Sequence, residues 1–397
     1  MYGRLIRKIC REVEHLVDLA YPDSAHDTEV KGATGRVLST GWLTKWIDMR
    51  DHTHNLHCKL SHIWSYNCAA QQHHSKIRIA LPIEEGHEED LSFYYSFLLH
   101  GDAYNGQWRS VKIVSRPQKR QQPSAALHDR KGKKRARFYD DEVQVVCNMG
   151  GTPQEPESQI YDICKTVAQQ LEAGSCMGLL SCSGYDYLVF DEALGGRDLV
   201  PLRQILPCFR DGRPIPTRQK RTIALSLASS LLLLYDTPWL PSQWSLDDVY
   251  MYGDDPTRLY RKQIFTKPAS DGMIATHDRD SPESGIIDNQ AMFCLAVALL
   301  ELTFGAPLSN FQKHGGNADR QLIQLMTAKR LTKTIRNHEE ERFASAVIRC
   351  MNPLSSSPAN YDFSFGTESF RRQFIKDVLT PLYEDVVALR RIGDMSR

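Results

Sequence analysis

The chain has no two cysteines at C-x-x-C spacing, although ten cysteines are scattered along its 397 residues. That scatter favours reduced thiols, as in cytosol or nucleus, over a disulfide framework. It has almost no net charge: 49 Lys and Arg stand against 48 Asp and Glu, leaving +1. The molecule as a whole is therefore no electrostatic binder of nucleic acid, though a local patch remains open. No uncharged run is long enough to span a bilayer, which takes about 20 apolar residues. The longest, Thr222–Tyr235 and Asn289–Leu300, read as buried core helices, and no transmembrane segment is expected. The first residues, MYGRLIRKICREVEH, carry no apolar stretch of the signal-peptide kind, so none is expected. There is no internal repeat, nucleophile elbow, P-loop or G-x-G-x-x-G. Gly150-Gly151 and Gly195-Gly196 are ordinary turn pairs.

What is present is organised around residues 217–305. A long apolar helix, Thr217 to Tyr235, leads into a loop ending in the paired acids Asp247 and Asp248. After a polar insert at 253–288, with a strand at Leu259–Phe265, a second apolar helix runs from Asn289 to Phe304 and closes at Gly305.

Upstream, residues 4–20 and 42–66 have helical periodicity; Trp42, Trp46, Leu56, Leu60, Ile63 and Trp64 share one face of the second. The period then changes. Ile77–Leu81, Leu91–Leu99 and Trp108–Val114 are rich in β-branched and aromatic residues and read as an antiparallel meander, with a further strand at 139–147. A helix is expected over Ser158–Leu171, with Ile160, Ile163, Val167 and Leu171 inward. Two short strands follow, Met177–Ser181 and Tyr187–Phe190, then a short helix at Leu199–Leu206. Tyr185 and Tyr187 read as core or strand-face residues. Beyond Gly305, helices are expected at Ala318–Thr327, Glu339–Met351 and Thr367–Leu389. The last has Phe370, Phe374, Val378, Leu382 and Val386 on one stripe and a kink or restart at Pro381.

The order of parts resembles a protein kinase. Glu301, Leu302 and Gly305 match the end of the kinase pattern D-x-W-S-x-G-x-x-L-x-E-L-x-x-G, while Ala291 and Ala296 replace its Asp and its first Gly. Cys350-Met351-Asn352-Pro353 resembles C-L-x-x-D-P. More closely, residues 227–251 (LASSLLLLYDTPWLPSQWSLDDVYM) are similar to a fungal domain family of unknown function, kinase-like but degenerate and often found behind helical HeLo-type (prion-inhibition) domains. Trp64, Cys68 and His73 resemble that family's upstream W-x-C-x-x-x-H-x-L pattern. The resemblance covers most of residues 55–390. It implies an α+β, degenerate protein-kinase-like two-lobed fold, mainly helical overall. The expected parts are an N-terminal helical segment at 1–75, a small mixed lobe at 76–195 with a basic insert at 115–138, and a helical large lobe at 196–397.

The chemistry of a kinase needs a glycine-rich flap, a strand Lys paired with a helix Glu, a catalytic-loop Asp, and Asn and D-F-G Asp for metal. Between residues 76 and 114 there is no G-x-G. Lys112 stands one step out of register with V-A-I-K, and the 158–171 helix offers no central Glu. Aligning DDVYM with the family's E-N-I-L-L sets Gln243 at the catalytic Asp and Asp248 at the metal Asn; no D-F-G follows. Gln cannot take a proton from a hydroxyl as a carboxylate does, and Asp248 alone is one metal ligand where at least two are wanted. The competing reading of Asp247 and Asp248 is a turn or helix cap.

Two further clusters carry possible chemistry. His52, His54, His57, His62, His73 and His74 fall within 23 residues, with Cys58 and Cys68. His54, Cys58 and His62 lie four apart on one helical face, a zinc-type placement, but without the intervening Glu of H-E-x-x-H. The plain alternative is an amphipathic helix with polar His outside. From Arg116 to Arg137 there are nine Lys or Arg and one Asp, net +8; Lys131, Lys133, Lys134, Arg135 and Arg137 resemble a nuclear-import sequence. No aromatics are interleaved for base stacking, and a solvated loop reads as well.

The residues and the resemblance together point to a non-catalytic, pseudokinase-like interaction or regulatory module, cytoplasmic or nuclear, acting through another protein and needing no cofactor. Two alternatives stand beside it: a divergent kinase or phosphotransferase using Asp247, Asp248 and Lys112, and a nuclear nucleic-acid-associated protein working through 116–137.

Overall fold

The computed structural model describes residues 40–64, 72–79, 94–100, 108–118, 158–169, 171–182, 184–193, 198–210, 212–241, 243–266, 287, 289–312, 319–352 and 364–395. The fold is α+β, built from one antiparallel sheet and a set of helices.

The first helix, α1 (Thr40–Ile63), turns one stripe inward. Trp46, Thr53, Leu56, Leu60 and Ile63 recur at helical spacing and are buried, with Trp64 just beyond. The sheet contains β1 (Gln72–Arg78), β2 (Tyr94–His100), β3 (Trp108–Pro117), β4 (Cys176–Cys182), β5 (Tyr185–Glu192), β6 (Leu199–Pro201), β7 (Val249–Tyr252) and β8 (Asp255–Thr266), in the spatial order β4-β5-β3-β2-β1-β8-β7-β6. β1 pairs with β2 on one side and β8 on the other, so the sheet joins strands from either side of residue 195. Alternation sorts its residues onto two faces. Ile77, Phe97, Leu99, Val111, Ile113, Val189 and Phe265 enter the main core. Leu98, Tyr252 and Tyr260 form a small cluster on the other face, with Trp108 and Leu199 against it.

Several elements differ from the sequence expectations. β1 begins at Gln72, in a polar QHH stretch, because the long β8 ladder pairs its backbone from Gln72 on; the β2 ladder joins from His74. The helix expected at 158–171 shrinks to α2 (Ile163–Ala168). The preceding residues pair with β4 instead: Ile160 N–H donates to Leu179 O at 2.8 Å and Leu179 N–H to Ser158 O at 3.1 Å. Asp162 then caps α2, accepting from Lys165 N–H at 3.1 Å. Ile160, Ile163 and Val167 are buried as expected, but Leu171 is 37% exposed. The close bridge requires Gly178, at φ +140°, where a Cβ would stand 2.6 Å from Ser158 O. The segment expected as a helix at Leu199–Leu206 starts as edge strand β6, and only Leu202–Ile205 is helical, of the tight 3₁₀ kind. The strand expected at 139–147 lies outside the described residues.

The helical half follows the sequence closely. α3 (Thr217–Leu234) is buried almost all round, from Arg221 to Leu234, as an apolar run without a polar face demands. α4 (Gln290–Phe304) is capped by Asn289, which accepts from Met292 N–H at 2.9 Å, and ends at Gly305 with φ 69°. A Cβ at Gly305 would lie 2.8 Å from Pro207 Cγ. α5 (Arg320–Lys333) runs six residues past its expected end, and α6 (Glu341–Met351) follows. α7 (Glu368–Phe374) passes through a wide turn at Ile375–Leu379 into α8 (Thr380–Met395), so the restart expected near Pro381 falls at Thr380. Phe370, Phe374, Val378, Leu382 and Val386 are all buried.

Candidate functional site

The paired acids sit in a short helical turn, Leu246–Asp248, leading into β7. Ser245 and Asp248 form a capping box: Asp248 Oδ2 accepts from Ser245 N–H at 2.9 Å, and Ser245 Oγ accepts from Asp247 N–H at 3.2 Å. Asp247 reaches Arg203, with Oδ1 2.7 Å from Nε, and Arg203 Nη2 lies 3.8 Å from Glu301 Oε2. Glu301 is buried, and its Oε1 accepts from Leu308 N–H at 2.8 Å. Burial pushes the Glu301 carboxyl above the usual range, against the Leu308 hydrogen bond and the charge of Arg203. The Glu of the E-L-x-x-G pattern thus ties α4 to the turns beside it.

Asp248 also faces Arg261 of β8. Arg261 is buried, donates from Nε to Trp239 O at 2.9 Å, and has its pKa lowered to about 10 by burial, with Asp248 opposing. Gln243 is exposed. Lys112 is exposed on β3, on the face opposite Val111 and Ile113, whereas α2 packs on their side. The structure therefore brings Asp247 and Asp248 together but turns Lys112 away from α2.

The space between the inner sheet face and α3 is filled. Trp239 Nε1 donates to Thr53 O of α1 at 2.9 Å. The His57 ring meets Trp239 edge-on at 5.2 Å and lies 4.9 Å from Phe265, Trp64 stacks on Phe265 at 4.5 Å, and Phe97 approaches Trp239 at 5.4 Å. A shallow recess with room for little more than a water molecule opens elsewhere, lined by Trp46, Arg50, Leu232, Tyr235, Phe365 and Arg371 among others; Gln243, Asp247 and Asp248 do not line it.

The histidines divide. His54 and His62 are exposed, and His54 Nε2 lies 3.7 Å from Cys58 Sγ. Among the described residues no group of three or more His, Cys, Asp or Glu is placed to hold a metal ion. His52, His57 and His73 are buried, contrary to the expectation of polar His on the outer side. His52 Nδ1 is 3.2 Å from Tyr187 OH, with its ring edge-on to Tyr185 at 4.2 Å. Burial lowers its pKa, opposed by Asp48 and Asp51. His73 Nδ1 lies 3.7 Å from Cys164 Sγ, with Trp64 beside its ring. The sequence signal was available: His52 and His57 directly neighbour Thr53 and Leu56 on the buried stripe. Lys131, Lys133, Lys134, Arg135 and Arg137 lie outside the described residues. Among the described residues no helix is long and apolar enough to cross a membrane.

Residues 45–388 match the model of a family described as a domain of unknown function (DUF7580). The chain belongs to this family. A search of the curated proteins finds no match to this DUF7580 chain. Similar solved structures include the complex of Neurospora crassa PAN2 (WD40-CS1) with PAN3 (pseudokinase and C-term), at 12% identity over 87% of this chain and 72% of that one, TM-score 0.32. A Neurospora crassa PAN3 pseudokinase mutant has 12% identity over 87% and 75% of the two chains, TM-score 0.28. The Drosophila melanogaster PAN3 pseudokinase has 10% identity over 81% and 68%, TM-score 0.29.

Proposed function

We propose that this DUF7580 chain is a non-catalytic, kinase-like interaction or regulatory module that acts by presenting a surface to another protein. The observation that carries the reading is the filled space between the sheet and α3. Thr53 and His57 of α1, with Trp64, Phe97, Trp239 and Phe265, occupy it with close aromatic contacts. A nucleotide there would have to displace buried rings, each worth several kcal/mol of core stability.

Two features support it. The chain order of three strands, α2, two strands, a long buried helix, an acid-bearing turn and a Glu301–Gly305 helix end is the one the kinase resemblance implies. The residues at the catalytic positions are engaged otherwise, Asp248 in a capping box and Asp247 on Arg203. Fungal origin and action beside a helical signalling domain are part of the same proposal.

The test is thermal unfolding with ATP and with ADP, each with and without Mg²⁺. A ligand that binds only the folded state stabilises it by about 2.7 kcal/mol at a hundred times its dissociation constant. The module reading expects no shift at millimolar nucleotide. A Mg²⁺-dependent rise that Asp248→Ala abolishes would overturn it in favour of a phosphotransferase.

A further inference from the structure

The sheet face turned away from α1 and α3 carries Lys76, Arg78 and Lys262 side by side on β1 and β8. Lys76 of β1 and Lys262 of β8 are direct cross-strand partners, so their side chains leave the same face about 5 Å apart at Cβ. Like charges so placed repel. Lys76 is only 4% exposed. Its ammonium is held between two rings, 4.0 Å from the Trp108 centroid and 3.8 Å from that of Tyr250. Trp108 and Tyr250 come from β3 and β7, each two strands from β1. A flat sheet sets those strands on the order of 19 Å apart, and the two rings reach over Lys76 from either side.

Ring faces offset part of the desolvation of an ammonium, but they accept no strong hydrogen bond. The influences on Lys76 are burial and Lys262, and both oppose its charge; its pKa is lowered to about 8. Two residues along β1 on the same face, the buried Nε of Arg78 has no hydrogen-bond partner; one of its Nη atoms reaches Thr257 O at 3.4 Å. In the β1–β8 ladder the charged residues on this face are Lys76, Arg78 and Lys262, with no carboxylate among their ladder partners; carboxylates act on the neighbouring side chains, Glu192 on Arg258 and Asp248 and Asp247 on Tyr250. Farther across the same face, Glu192 is held by Ser110 Oγ at 2.7 Å.

We propose that Lys76, Lys262 and Arg78 form a binding site for a doubly charged oxyanion of the phosphate class. The anion meets the ammonium of Lys76 from the solvent side, between the half-exposed rings of Trp108 and Tyr250, and bridges to Lys262. It supplies the acceptors that the buried donors lack and removes the repulsion between the paired lysines. The site lies on the opposite sheet face from the filled space and stands independently of the non-catalytic reading.

The experiment is a titration of the full chain with inorganic phosphate at low millimolar concentration and fixed ionic strength, followed by calorimetry and by NMR of the lysine side chains. Phosphate is expected to bind, and to raise the pKa of Lys76. Lys262→Gln, a change at a half-exposed position, is expected to weaken phosphate about tenfold, the equivalent of one charge-assisted hydrogen bond. The same variant raises the Lys76 pKa without phosphate, by removing a like charge. No heat and no movement of the Lys76 titration on adding phosphate would overturn the proposal, as would equal binding of acetate or an unchanged affinity in Lys262→Gln.

Discussion

Replacing Arg221 by Met should unfold the helical half more readily than almost any other single polar change. Arg221 lies in α3 and is 2% exposed. Its Nη1 donates to Glu339 Oε2 at 2.7 Å, its Nε stands 3.4 Å from Asp385 Oδ2, and its guanidinium lies 4.1 Å from the Phe343 ring centroid. One cation thus joins α3 to the start of α6 and to α8. After the substitution Glu339 keeps Lys220. Among the described residues Asp385 keeps only Arg342 at 4.0 Å, on a side chain more than half exposed. Removing one partner of a buried ion pair typically destabilises by about 3–5 kcal/mol, because the remaining charge is left uncompensated. Urea unfolding followed by tryptophan fluorescence reads this as a lower midpoint at unchanged slope. Adding Asp385→Asn should recover part of the loss, with a coupling of at least about 1 kcal/mol.

The pH dependence has a definite sign. Burial outweighs Arg221 at Asp385 and holds its carboxyl above the usual range. The folded state therefore binds this proton more readily than the unfolded one, and stability falls as pH rises through that window. Glu339 behaves oppositely. Burial pushes it up, but Lys220 and Arg221 outweigh burial and its pKa is lowered. Its contribution is present above the ordinary Glu value and is lost as pH falls toward the folded one. In Arg221→Met the Asp385 carboxyl rises further, so the deficit should narrow on acidification. A loss below about 1 kcal/mol at neutral pH, the scale of an exposed pair, would refute the reasoning.

Further outcomes follow from buried positions. His52 has a lowered pKa, so the stability it contributes is full above about 6.5 and declines as pH falls toward its folded value. His52→Gln should flatten the stability–pH curve below 6.5, and an unchanged curve would rule out His52 as its source. Leu299 is fully buried in α4, so Leu299→Asp should prevent cooperative folding, an unpaired buried charge costing several kcal/mol. A soluble variant with a cooperative melt would refute that placement.

Much of the helical half was legible in the chain. α3 and α4 are apolar runs without breakers, long enough to be helices and too short to span a bilayer. Gly305 marks a helix end that needs positive φ, and the Phe370–Val386 stripe keeps its period across a wide turn. Each of these signals is local: a few adjacent residues fix which face is apolar or which φ is allowed. A domain family of unknown function over most of the chain was expected from residues 227–251, and residues 45–388 match one.

What the local pattern could not carry was the identity of the partner. Gln72 to His74 precede the strand expected at Ile77–Leu81, yet all three pair with β8, 190 or more residues on, and His74 pairs with β2 as well. Asp247 and Asp248 look alike in sequence; the fold gives one to Arg203 and the other to a capping box and the field of Arg261. His52 and His57 of α1 turn inward because the sheet and α3 close over that helix, and His73 of β1 because Trp64 packs on its ring. Lys76 and Lys262 stand 186 positions apart in the chain and become neighbours only through the β1–β8 ladder. Burial and charge at these sites are properties of long-range pairing. The sequence by itself determined which segments must be helix or strand and which face of each is apolar; only the tertiary structure decided what every buried charge and ring would meet.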